Sequence, residues 1–353
     1  MERDNYFERK AVSRSLLSEL VRHPLRAKAM LDGVAQKVES EAMTFGSAFD
    51  SLMFDTSTEF TSKYKIRQYE NPWTDRRKNT GKFTYALEQI MQETLAADMP
   101  GGDTETMFLQ AYERSGIKSP KVYDLVAEFV ELGGREWVKE SMMANAFTMI
   151  SQDDYNKLAA MKANLINDEY VGHLFVTDVP ETHTVTNSHL ETIYQMDIDC
   201  YIEGIKCKAL PDIVHINHAA KVINIYDLKT TSSYDQNVMG SIVKFGYDLQ
   251  AAWYTIALNA LTMEGEKYEG YTVAKEFGFI FIDTNMMNAP IHVMISENDL
   301  SCAINGGNRY GRPRKGAFQI LNDYMWHVET DKWDYPREYY ENNGYIETDI
   351  YDS

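Results

Sequence analysis

Cysteine is scarce in this chain of 353 residues: it has three, Cys200, Cys207 and Cys302, and no two of them form a C-x-x-C pair. An odd number without paired spacing argues against both a disulfide framework and a zinc ribbon, and three thiolates are too few for an iron–sulfur cluster that takes four. Long apolar runs are also missing, since none approaches the roughly 20 residues a membrane helix needs. The opening MERDNYFERK is charged and has no apolar stretch of the kind a secretion signal carries. The expectation is a soluble, cytoplasmic protein with reduced thiols and no membrane partner.

Positive charge is in short supply as well. Thirty-five Lys and Arg stand against 53 Asp and Glu, a net charge of −18. That balance weighs against nonspecific coating of nucleic acid, which draws on many phosphate contacts, although local patterning can still make a basic groove. Disorder is excluded by the 44% hydrophobic and 12% aromatic content.

The informative stretch runs from Lys208 to Tyr254. It contains two β-like runs followed by an amphipathic helix. Asp212 follows Pro211 at the first run, and Asp227, Leu228 and Lys229 form Asp-x-Lys in the second. Strand side chains alternate, so Asp227 and Lys229 share a face. Two carboxylates and an ammonium suit a hydrolytic Mg²⁺ site, in which the lysine orients or helps deprotonate a water and offsets charge on a phosphate. Downstream, Ile242, Val243, Phe245, Leu249, Ala252, Trp253, Ile256, Ala257 and Ala260 recur near helical spacing. Gln250 and Tyr254 lie on one side of that helix. Taken singly, these are bland features: an Asp and a Lys two apart are more often a solvated pair, and His215 and His218, in the turn between the runs, read as solvated.

In this order and spacing, P-D, D-x-K and Q-x-x-x-Y resemble the PD-(D/E)XK nuclease superfamily, specifically its RecB-like and RecE-like phage exonuclease branch. The resemblance implies a Mg²⁺-dependent exonuclease (Mn²⁺ substituting) that acts on duplex DNA ends in recombination or DNA processing. If phage-encoded, it would work in a bacterial host's cytoplasm. Asp212, Asp227 and Leu228 would bind metal, Lys229 would assist the water, and Gln250 and Tyr254 would position phosphate, water or the lysine. RecE-like relatives form rings around duplex DNA, which implies a homo-oligomer and a recombination partner protein. Two other readings stand: a nuclease of the same superfamily for single-stranded or branched DNA, and a DNA-binding or interaction protein that kept the fold and lost catalysis.

Nearer the N-terminus, MTFGSAFDSLMFD reads as a helix with Thr44 as N-cap and an apolar stripe of Phe45, Phe49, Leu52 and Met53. Small Gly46 and Ala48 would let it approach a sheet. The family carries G-x-A-x-H here, with histidine as a metal ligand; this chain has Asp50, a further candidate ligand of harder character. Ser13, Arg14 and Ser15 are candidate phosphate contacts, with helix capping the competing reading. Arg76, Arg77, Lys78 and Lys82 near Trp73 make one basic loop, and Arg309, Arg312, Arg314 and Lys315 make a second candidate DNA contact.

The fold expected is α/β, a mixed central sheet flanked by helices in the restriction-endonuclease-like manner. The sheet would be built from the 191–229 strands, including a hairpin turning at Glu203-Gly204, and a hairpin over 276–296. Residues 1–340 would form one domain with 62–145 as a helical insertion, followed by an acidic tail over 341–353.

Overall fold

Residues 4–35, 40–69, 71–73, 78–96, 103–117, 122–142, 147–232, 237–309 and 312–346 are described by a computed structural model. The chain divides into two compact units, Met1–Thr56 with Met161–Ser353, and Ser57–Ala160.

The first unit opens with short helices, α1 (Asp4–Glu8), α2 (Arg14–Arg22) and α3 (Pro24–Leu31). Proline cannot continue a helix from within but fits its first position, so the His23-Pro24 step ends α2 and starts α3. Ser13 caps α2, its hydroxyl accepting from the Leu16 amide. The next helix, α4 (Glu41–Phe54), begins earlier than the sequence suggests: Ser40, not Thr44, is its cap, accepting from the Met43 amide at 3.3 Å.

The second unit holds α5 (Ser57–Lys63), β1 (Tyr64–Ile66), α6 (Lys78–Ala96), α7 (Thr104–Ser115), α8 (Val122–Glu131), α9 (Gly134–Met142) and β2 (Thr148–Ile150). Its core is aromatic: Trp73, Phe83, Phe108, Phe129 and Trp137 are buried together. Trp73 therefore packs inward on Phe83 and Phe129 instead of offering a stacking platform. Arg76 and Arg77 lie outside the described residues, as does the Lys78 side chain; Lys82 is exposed on α6.

After α10 (Gln152–Ile166), capped by Ser151, the chain builds the central sheet. Its strands are β3 (Thr184–Asn187), β4 (Leu190–Tyr194), β7 (Ile213–Asn217), β8 (Val222–Thr231), β9 (Thr272–Val273), β10 (Phe277–Asp283) and β11 (Ile291–Ile295). Among the described residues they lie in the order β11-β10-β8-β7-β4-β3, with β9 also on β8. The sheet is mixed: β8 is antiparallel to β7 and parallel to β10. The chain is thus an α/β protein with helices flanking a mixed sheet. Its Glu203-Gly204 hairpin, β5 (Ile198–Ile202) with β6 (Ile205–Ala209), pairs separately and is not part of that sheet. Positive φ at both Glu203 and Gly204, 51° and 79°, gives the tight turn that matches strand twist.

One sheet face is apolar. Val214 and Ile216 of β7, Ile223 and Ile225 of β8, and Phe277, Phe279 and Phe281 of β10 are buried in the main core. The helix that follows the sheet strands in sequence is broken in two, α11 (Asn237–Phe245) and α12 (Tyr247–Ala260), where the apolar periodicity reads as one. Gly246 sits between them at φ +65°, a left-handed conformation that ends a helix and that glycine adopts without strain. Trp253 of α12 is fully buried in the same core, and its indole donates to the Lys208 carbonyl at 3.0 Å, tying α12 to β6. The C-terminal helices are α13 (Glu297–Asn305), α14 (Ala317–Thr330) and α15 (Arg337–Glu341), with a small hairpin, β12 (Gly307–Arg309) and β13 (Arg312–Arg314), between the first two.

The helix α4 meets β8 at Gly46, where a Cβ would lie 3.4 Å from Thr230 Oγ1, in ordinary contact. Gly46→Ala should therefore fold as well as the native chain, whereas Gly46→Val should lose about 1–3 kcal/mol by overpacking. Denaturant midpoints of the two variants check this, and equal midpoints would show that the helix does not need the close approach.

Candidate active site

The site forms where two strands part. Ladder pairing of β7 with β8 ends at Ile213↔Tyr226, while β8 continues beside β10 to Thr231. Past Tyr226, the β7-facing edge of β8 has lost its partner strand, and an unpaired buried amide is costly. Asp212, just ahead of β7, fills the gap: its Oδ2 accepts from the Leu228 amide at 2.9 Å. In a strand, the amide and carbonyl of one residue point to the same side. The Leu228 carbonyl therefore faces Asp212 too, and this is how a leucine becomes a candidate metal ligand.

The Asp227 side chain projects from the sheet face opposite that of Leu228, in line with Ile223 and Ile225, and is fully buried. Gln250 Nε2 donates to its Oδ1 at 2.7 Å and also reaches the Tyr254 hydroxyl at 3.1 Å. Lys229 Nζ lies 2.5 Å from Asp227 Oδ2 as an ion pair, so that both carboxylate oxygens are engaged. The Lys229 ammonium also sits 4.9 Å from the ring centroid of Tyr247.

The charges define the neighbourhood. Burial pushes the Asp50 carboxyl up to about 7; Lys229 opposes this, while Asp227 and Asp55 add to it. Asp212 is raised well above the carboxylate range by burial and then by Asp227 and Asp50. Burial works against the Lys229 charge, but Asp227 and Asp212 more than offset it and hold its pKa above the ordinary value. Lys229 therefore stands as an ammonium that neutralises the acids, which favours charge compensation over proton abstraction. Tyr254 is held neutral, raised by burial and by Asp227.

The structure thus brings Asp50, Asp212, Asp227, Leu228, Lys229, Gln250 and Tyr254 into one place. It keeps other candidates elsewhere. Arg14 donates to the carbonyls of Phe245 and Gly246, at 2.9 and 3.3 Å. Lys315 is paired with Asp323 and Glu338. His215 lies within β7 and not in the turn, its pKa lowered by burial. His218 contacts Tyr271 and Glu191, at 2.9 and 3.1 Å, so Glu191 is engaged outside the cluster. Tyr247 is the member that sequence reading missed. Its signal was available: Tyr247, Gln250 and Tyr254 fall at i, i+3 and i+7, one face of α12.

The donor set is all oxygen, which fits a hard divalent ion, and Asp50 and Asp212 are pushed up by burial and by neighbouring carboxylates, a repulsion that a divalent cation would relieve. Among the described residues, no three acidic, histidine or cysteine side chains are already drawn to metal-holding distance. No helix among them is long and apolar enough to cross a membrane.

No protein-family model matches the chain, and no curated protein matches it. A crystal structure of a provisionally assigned exonuclease from Eubacterium rectale is similar in shape, with 13% identity and a TM-score of 0.45 over 99% of this chain and 96% of that one. A likeness at that level carries no argument about this chain.

Because Asp50 titrates near 7 when folded and near 3.8 when free, its contribution to stability is full below about pH 4 and is lost as pH rises through 7. Asp50→Asn removes that loss. Without added metal, its melting temperature relative to the native chain should climb between pH 4 and 8; a constant difference would show that Asp50 is simply solvated.

Proposed function

We propose that this chain is a metal-dependent deoxyribonuclease of the PD-(D/E)XK kind, an exonuclease that hydrolyses phosphodiester bonds at duplex DNA ends in phage-type recombination or DNA processing. The observation that carries this reading is the convergence of Gln250 and Lys229 on the buried Asp227, with Asp212 and Asp50 within electrostatic reach of it. A solvated strand face would leave these groups to water and would not bury the carboxylate.

Asp50, Asp212, Asp227 and the Leu228 carbonyl would hold Mg²⁺ or Mn²⁺. When bound, the ion supplies Lewis acidity toward a phosphate oxygen and lowers the pKa of its water. The chain's own groups set the stage for that chemistry. Gln250 fixes the orientation of the Asp227 carboxylate, Tyr254 fixes Gln250, and the Lys229 ammonium offers positive charge where the attacked phosphate gains negative charge. A homo-oligomer around DNA and a recombination partner protein belong to the same proposal, on the family resemblance alone.

The acidic balance of the chain favours a second reading. With net charge −18 and Lys315 tied to acids, a fold retained for binding another macromolecule without cleavage remains in play, as does a nuclease for single-stranded or branched DNA. Incubation with linear, nicked, branched and covalently closed DNA separates these. Mg²⁺ or Mn²⁺ should support loss of linear duplex while closed circles persist, and Ca²⁺ should not. Asp227→Asn and Lys229→Ala should each lower the rate by on the order of a hundredfold or more in a folded protein. Unchanged cleavage in excess chelator, or by Asp227→Asn, would defeat the proposal.

A further inference from the structure

Lys229 must be aimed as well as charged. A lysine ends a flexible four-carbon stem, and an ion pair to Asp227 alone would let the ammonium follow that carboxylate wherever its charge is compensated. The second hold on Lys229 is aromatic: its Nζ lies 4.9 Å from the Tyr247 ring centroid, within the range where a ring face attracts a cation.

The ring is itself fixed from three directions. It packs on Phe279 and Phe281 of β10, with centroids 5.7 and 6.3 Å away, and on Phe245 at 5.7 Å. Gly246, at φ +65°, makes Tyr247 the first residue of α12. Arg14 pins this junction through the carbonyls of Phe245 and Gly246. Tyr247 thus packs on the core on one side and meets Lys229 on the other, on the same stripe of α12 as Gln250 and Tyr254, which serve Asp227.

Resting on the nuclease reading, we propose that Tyr247 is a positioning residue for Lys229, holding the ammonium beside Asp227 through its ring face and not through its hydroxyl. The hydroxyl is held neutral by burial, with Lys229 opposing that shift, so it does not compete as a second anion. The ring's attraction does not depend on how Asp227 is charged. It would keep Lys229 in place when the carboxylate is otherwise engaged.

The test combines a contact measurement with kinetics. In protein labelled with ¹³Cε-lysine, the methylene signal assigned to Lys229 by its loss in Lys229→Arg should be displaced upfield by the ring current of Tyr247. Tyr247→Phe should keep the displacement and leave kcat within about twofold. Tyr247→Leu should abolish it and lower kcat about tenfold, the scale of a partly desolvated cation–π contact, with KM little changed. Tyr247→Met, which also fills the space without a ring, should behave as Leu does and guards against a Leu variant that fails to fold. A signal not displaced in the native chain, one still displaced in the Leu or Met variant, or a Phe variant as slow as Leu would overturn the proposal. The expected displacements in a protein that cleaves no DNA would instead confirm the contact and sink the nuclease reading, so the two failures are distinct.

Discussion

A carboxylate with no access to solvent is the constraint around which this molecule is arranged. Asp227 is 0% exposed, and an isolated buried anion is prohibitively unfavourable. Three neighbouring features answer that demand: the amide of Gln250, the ammonium of Lys229, and the helix start at Gly246 that delivers α12 to the sheet. Removing one partner of such a buried ion pair is far more damaging than replacing both with apolar groups. Apolar residues at both 227 and 229 would continue the Ile223–Ile225 stripe. That the chain instead builds a polar cage around an acid, and crowds two further carboxyls beside it, is a local inconsistency of the kind expected at functional sites.

The second constraint is topological. A strand that outlasts its neighbour exposes an unpaired edge, and β8 does so just past Tyr226. Asp212 repairs that edge with a side chain in place of a strand. The repair places a second carboxylate and the Leu228 carbonyl at the fork. The helix α4 meets β8 at Gly46 and brings Asp50 within electrostatic reach of the same point. Three separate stretches of sequence meet there because strand pairing, the contact of α4 with β8 and a left-handed glycine each act locally.

Much of this was legible in the sequence, for identifiable reasons. The β5–β6 turn at Glu203-Gly204 and the β10–β11 pairing follow from turn chemistry and β-branched or aromatic runs, which act at short range. The Asp-x-Lys pair and the Gln250–Tyr254 pair were visible because period-2 and period-3.6 spacing fix which side chains share a face. Other features depend on tertiary context. The separate pairing of β5 with β6, the break at Gly246 within a continuous apolar pattern, and the inward packing of Trp73 are decided by what lies across the core. Tyr247 was overlooked because an aromatic residue at a helix start is usually read as packing; only the position of Lys229 over its ring gives it another meaning. Charge likewise resists reading by composition. Lys315 and Arg14 look like phosphate contacts in sequence, yet their donors are occupied by Asp323, Glu338 and two backbone carbonyls.

The central claim is that the carboxyl cluster of Asp227, Asp212 and Asp50 exists for a divalent cation. Crystals soaked with Mn²⁺, with anomalous scattering recorded at the manganese edge, locate such an ion directly. The account predicts a single strong peak at the β7–β8 fork, bonded to Asp227 and Asp212, with Lys229 Nζ withdrawn from Asp227 Oδ2 and still over the ring of Tyr247. No peak there at saturating Mn²⁺, with the Lys229–Asp227 ion pair unchanged, would contradict it.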